Sequence, residues 1–185
     1  MEALLVSLGV VVLAEMGDKT QLLALLLAAR FRAPLRVLLG ILTATLANHL
    51  LAGAVGTTLA AHLRPALLRG LLAASFFVSA GWMLWPDRAP QAAPRDARLG
   101  AYGTTVLSFF LLEMGDKTQF ATLALAARYQ ALLPVVAGTT LGMLLADAPV
   151  VWLGEAAAQR LPLRLINRFA ALVCLLLGVL VLVRR

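Results

Sequence analysis

Six long apolar stretches, separated by short polar interruptions, account for almost the whole chain of 185 residues. About 20 apolar residues cross the roughly 30 Å of a bilayer's hydrocarbon. By that measure the pattern predicts spans over about Ala3–Ala29, Leu35–Ala61, Leu67–Trp85, Ala101–Ala127, Leu132–Ala157 and Leu165–Val183. Arg30, Arg32, Pro34 and Arg36 punctuate the first interruption, His62, Arg64, Pro65 and Arg69 the second, and Arg160, Pro162, Arg164 and Arg168 the last. Residues 86–99 carry Pro86, Pro90 and Pro94 among charged residues, and read as the one extended linker. The chain thus divides into a first three-helix repeat (1–85), a cytoplasmic linker (86–99) and a second three-helix repeat (100–185).

A polar pattern breaks the apolar one twice. Glu15-Met16-Gly17-Asp18-Lys19-Thr20-Gln21 recurs residue for residue as Glu113-Met114-Gly115-Asp116-Lys117-Thr118-Gln119, 98 positions on. The match extends to Leu25, Leu27, Ala28, Ala29 and Arg30 against Leu123, Leu125, Ala126, Ala127 and Arg128, and to Gly40 and Gly56 against Gly138 and Gly154. Three spans per repeat is an odd number, so the second copy enters the membrane from the opposite side. The fold class that follows is an all-α integral membrane protein of six transmembrane helices in two inverted three-helix repeats, a plan that places sites near the midplane where the repeats meet. Each motif begins 12 residues into its span, about 18 Å at 1.5 Å per residue, so both motifs reach one depth.

Composition removes the alternatives to a membrane protein. The chain is 62% hydrophobic and 14% charged, against about 25% charged in soluble domains. A net charge of +7 in a soluble protein would suggest nucleic acid. Here 14 of the 16 basic residues are arginines beside the interruptions, as juxtamembrane anchors are, and no nucleic-acid partner is expected. Nine arginines fall on the side of the linker and five on the other, which places the linker in the cytoplasm and both termini outside. Met1-Glu2-Ala3-Leu4 has no positive leader, so the first run is expected to be retained as a span. The single cysteine, Cys174, lies in the last run and reads as packing.

Ionisable groups inside a span are costly and mark ion paths, substrate sites or proton relays. On a continuous helix Glu15 and Asp18, like Glu113 and Asp116, share a face at i, i+3. Two such faces meeting would gather four carboxylates, which need a cation, protons or paired bases. With Lys19 and Lys117 the group carries an excess of two negative charges, which one divalent cation or protons would neutralise. Oxygen ligands suit Mg²⁺, Ca²⁺ and Mn²⁺, and Thr20, Gln21, Thr118 and Gln119 add oxygens nearby. Met16 and Met114 read as packing before they read as soft ligands. Gly17 and Gly115 have two readings of equal weight: local unwinding that frees backbone carbonyls, or close approach of a neighbouring helix. The lysines are counter-charges, and the bland alternative for the whole motif is an ion-pair network that fastens helices. Asn48, His49 and Asp147 are candidate pathway residues, with helix capping the alternative for Asp147 and packing for His49. His62 and Glu155 read as span ends, and Gly40-x-x-x-Ala44 with Gly138-x-x-x-Gly142 as helix contacts.

No catalytic or nucleotide-binding motif is present, so an enzyme or an ATP-driven pump is not expected. Three functions stand: a divalent cation/proton antiporter, an exporter of an organic cation or amino acid, and a non-transporting scaffold. The doubled Glu-x-Gly-Asp-Lys-Thr motif resembles the signature of the Gdt family of membrane cation exchangers, in the first and fourth of six spans, and the likeness covers essentially the whole chain. That resemblance implies transport of Mn²⁺ or Ca²⁺ out of the cytosol against protons. For a bacterial member it implies manganese export across the inner membrane. It assigns the metal to Glu15, Asp18, Glu113 and Asp116, supported by Lys19, Thr20, Lys117 and Thr118. The transported ion is then substrate and no cofactor is expected. The short central loop lacks the acidic run of some eukaryotic relatives and offers no second cation site. Kinship with lysine exporters supplies the organic-solute alternative.

Overall fold

The computed structural model describes residues 1–84, 99–153 and 163–183. Within them are eight helices and no strand: α1 (Glu2–Glu15), α2 (Lys19–Phe31), α3 (Pro34–His62), α4 (Pro65–Met83), α5 (Gly100–Glu113), α6 (Lys117–Tyr129), α7 (Leu132–Leu153) and α8 (Leu163–Val183). Three of these, α3, α4 and α7, are each long and apolar enough to cross a membrane. The linker 86–98, with Trp85, Gly154, Glu155, Arg160, Arg184 and Arg185, lies outside the described residues.

The first and fourth predicted spans are not continuous helices. Each is two short helices parted at the motif: α1 stops at Glu15 and α2 starts at Lys19, while α5 stops at Glu113 and α6 starts at Lys117. Gly17 at φ +82° and Gly115 at φ +78° turn the chain into the left-handed region, which a residue with a Cβ enters only at a cost. At about 1.5 Å per residue, α1 or α2 alone is roughly 20 Å long, short of a bilayer's 30 Å. The far ends match as well, since Arg32 and Gln130, 98 apart, both close their helices at φ +49°.

The packing is exchanged between the halves. α1 lies along α7, α3 lies along α5 and α6, and α4 pairs with α8. Small residues allow the close approach. A Cβ on Gly138 would sit 2.3 Å from the Leu4 carbonyl oxygen, one on Gly142 2.8 Å from that of Leu8, and one on Gly40 2.6 Å from the Thr105 Cβ. These glycines are helix contacts, as their spacing predicted. Cys174 is buried beside Ala14, Ala80 and Ala171. His62 ends α3, exposed, with Nδ1 2.8 Å from the Thr58 carbonyl oxygen.

Polarity runs inside out relative to a soluble bundle. Leu35, Leu51, Val78, Leu111 and Leu176 are all exposed on the outside of the helices. Glu15, Asp18, Thr45, Asn48, His49, Glu113, Asp116, Lys117, Thr118 and Asp147 are buried in the middle. An apolar coat around a charged centre is stable in hydrocarbon, where ionisable side chains face the bundle interior.

Candidate functional site

The two helix breaks are built alike. The Gly17 N–H donates to Gln21 Oε1 at 2.8 Å, and the Gly115 N–H donates to Gln119 Oε1 at 2.7 Å. Each glutamine therefore occupies a backbone donor that the interrupted helix would otherwise leave unpaired. Asp18 N–H and Asp116 N–H return to the carbonyls of Glu15 and Glu113, both at 3.0 Å. Each aspartate is the extended N-cap residue of the following helix, and Asp18 Oδ1 accepts from Lys19 N–H at 2.7 Å. Gln21 Nε2 also donates to the Ala146 carbonyl at 2.7 Å, tying the first break to α7. Between the two readings of the glycines, the backbone takes local unwinding. The i, i+3 face expected for Glu15 and Asp18 does not form, because Asp18 lies beyond the end of α1.

Tertiary packing brings the acids together instead. Lys19 Nζ lies 2.7 Å from Asp116 Oδ1, and Lys117 Nζ lies 3.1 Å from Asp18 Oδ2. Each motif's lysine thus pairs with the other motif's aspartate. Carboxylate oxygens of Glu15, Asp18 and Asp116 all lie within 4.8 Å of one another, and none of the three residues is more than 1% exposed. The fourth motif acid stands apart from this cluster. Glu113 Oε1 accepts from Thr45 Oγ1 at 2.7 Å and Oε2 from Asn48 Nδ2 at 3.2 Å, both on α3. Asn48 Nδ2 also reaches the Phe110 carbonyl at 3.1 Å. Glu15 has no such clamp: one of its oxygens accepts from Thr20 within its own motif, while Oε1 has no hydrogen-bond partner among the described residues.

The remaining candidates divide. Asp147 on α7 and His49 on α3, 98 apart, are wholly buried, and neither side chain has a hydrogen-bond partner among the described residues. Asp147 sits mid-helix, so it caps nothing, and it lies within Coulombic reach of Glu15, Asp18 and Glu113. Met114 is 54% exposed. Thr45 went unnoticed in the sequence. The available signal was a hydroxyl three residues before Asn48, on the same face of an apolar helix.

Three clustered carboxylates with two ammonium groups form a hard, oxygen-rich site of the kind that binds divalent cations. A buried carboxylate oxygen without a partner is expensive, so Glu15 Oε1 and the Asp147 carboxylate are groups that a cation or a proton would satisfy.

The model of the family described as "Divalent cation/proton antiporter GDT1" matches residues 3–91 and 101–185. A relative from Vibrio cholerae serotype O1 (strain ATCC 39541 / Classical Ogawa 395 / O395), named "Putative manganese exporter", is 46% identical over 179 residues, covering 96% of this chain and 89% of the relative. No solved structure matches the chain.

Proposed function

The chain belongs to the divalent cation/proton antiporter GDT1 family, and from that premise we propose that it exports Mn²⁺, with Ca²⁺ the second candidate, from the bacterial cytosol in exchange for protons. The protein sits in the inner membrane as six spans, with α1–α2 and α5–α6 each forming one broken span. The two three-helix repeats are inverted about the midplane, the linker is cytoplasmic and both termini are outside. The cation binds at Glu15, Asp18 and Asp116. Glu113 serves the same path, Lys19, Thr20, Gln21, Lys117 and Gln119 hold the breaks together with Thr118 supporting beside them, and Asn48, His49 and Asp147 line the route.

One observation carries this reading: the crossed pairs Lys19–Asp116 and Lys117–Asp18 around a buried three-carboxylate cluster. The crossing makes one site out of two distant motifs. With Asp147 counted, five buried carboxylates face two ammonium groups. Full ionisation leaves an excess of three negative charges, so a divalent cation and a proton together restore neutrality. The ion pairs also favour a second reading, a network that only fastens the helices. Glu15 and Asp147 argue against it, because the network leaves Glu15 Oε1 and both Asp147 oxygens without hydrogen-bond partners among the described residues.

The test is Mn²⁺ and Ca²⁺ flux in proteoliposomes under an imposed pH gradient, comparing wild type with Glu15→Gln and Asp116→Asn. Flux should follow the gradient and fall more than about tenfold in both variants, the scale on which even outer-shell partners of metal ligands act. Folded wild-type protein that moves neither metal would refute the reading. Organic cations and amino acids would then be assayed next.

A further inference from the structure

The two motif glutamates occupy equivalent sequence positions in unequal surroundings. Glu15 belongs to the three-carboxylate cluster, with Oε1 unbonded among the described residues. Glu113 has both oxygens engaged by Thr45 and Asn48 of α3. The positions on α7 that match these two donors, 98 residues on, are Met143 and Ala146, which carry no side-chain donor. The clamp therefore exists on one side only, and the sequence itself sets that imbalance. A second difference points the same way. Thr20 donates to Glu15, but the matching Thr118, buried and five residues after Glu113, has an Oγ1 with no partner among the described residues. The contact that Thr20 gives Glu15 is thus built but unused at Glu113.

We propose that Thr45 and Asn48 are positioning residues that hold Glu113 away from the cation in this conformation. Glu15 and Glu113 then alternate as the third carboxylate beside a constant Asp18–Asp116 pair. In the oppositely facing conformation Glu113 leaves Thr45, takes the hydroxyl of Thr118 and completes the cluster, while Glu15 withdraws. This inference rests on the cation-site reading above and adds to it an order: one glutamate binds first, the other receives. The unequal clamp also means that the two conformations differ in energy, since only one of them holds its idle glutamate by two hydrogen bonds.

The experiment measures Mn²⁺ binding and Mn²⁺ transport separately, on the full chain. Binding is read from loss of the free-ion Mn²⁺ electron paramagnetic resonance signal with monodisperse protein in nanodiscs, and transport from proteoliposome flux. Glu15→Gln should weaken binding about tenfold or more. Glu113→Gln should leave the binding constant within about threefold of wild type yet abolish net transport. Thr45→Val, near wild type in volume, should lower both KM and kcat, because the released Glu113 joins the cluster and slows its exit. Thr45→Ser should restore both values.

Equal losses of binding in the two glutamine variants would overturn the inference while leaving the cation site standing. So would Thr45→Val protein with unchanged KM and kcat. If Thr45→Val does not give folded protein, the contrast between Glu15→Gln and Glu113→Gln decides. Wild-type protein that neither binds nor moves Mn²⁺ or Ca²⁺ would overturn the cation-site reading, and the alternation with it.

Discussion

The two lysines have the same sequence context, yet neutralising them should have unequal consequences. Lys19 pairs with Asp116 at 2.7 Å and Lys117 with Asp18 at 3.1 Å, while their side chains are 20% and 4% exposed. The two factors oppose each other. At an effective dielectric of about 20, Coulomb's law yields about 6 kcal/mol for the shorter pair and about 5 kcal/mol for the longer, so distance favours Lys19 by only about 1 kcal/mol. Exposure of the lysine changes the dielectric around its pair several-fold, so burial decides. Lys117→Met should cost about 3–5 kcal/mol, the toll of stranding a buried charge. Lys19→Met should cost less, about 1–3 kcal/mol, because the ammonium it removes is the more exposed of the two and its pairing with Asp116 is the more screened. The assay is a denaturant titration in mixed micelles, closed as a double-mutant cycle with Asp18→Asn. Adding Asp18→Asn to Lys117→Met should recover most of the loss, since the stranded charge is gone. Equal losses for the two lysines, or a loss below about 1 kcal/mol for Lys117→Met, would refute the argument that burial outweighs distance here.

Gly138→Ala should destabilise by about 1–3 kcal/mol, because its Cβ would lie 2.3 Å from a backbone oxygen of α1 that can yield only if the helices part. Gly9→Ala, with nothing within 4 Å, is the control and should be neutral or gain up to about 1 kcal/mol of helix propensity in the same titration. Gly115→Ala meets no atom but must hold φ near +78°, so a loss of about 1–2 kcal/mol and slower flux are expected. Gly115→Asn, which tolerates that region better, should lose less, and an alanine variant equal to wild type would remove the case for a required break. Gln21→Leu strips partners from both the Gly17 N–H and the Ala146 carbonyl, at about 1–3 kcal/mol per unsatisfied buried group. Gln119→Leu, at a half-exposed position, should cost less in the same unfolding measurement.

Much of this molecule can be read from its sequence because hydropathy and duplication are local properties. Long apolar runs require a hydrocarbon environment, and seven residues repeated 98 apart mark the charged centre. The donor chemistry of Glu15, Asp18 and Asp116 likewise follows from residue type alone. Other features depended on partners distant in the chain. A glycine in an apolar run is compatible with a continuous helix as well as a broken one, and the unwound form is held by Gln21 and Gln119 returning to the Gly17 and Gly115 N–H groups. Which lysine neutralises which aspartate was equally open, since four residues in two motifs allow pairing within or between them. The crossed arrangement arises because packing of α1 on α7 and of α3 on α5 and α6 sets the breaks face to face. The inequality of Glu15 and Glu113 lies deepest in the fold. Two identical motifs became different because α3 offers Thr45 and Asn48 where α7 offers Met143 and Ala146. A charged side chain in low dielectric is governed by the few polar atoms within hydrogen-bond reach, and here those atoms come from a helix more than 60 residues away, brought close only by the tertiary fold.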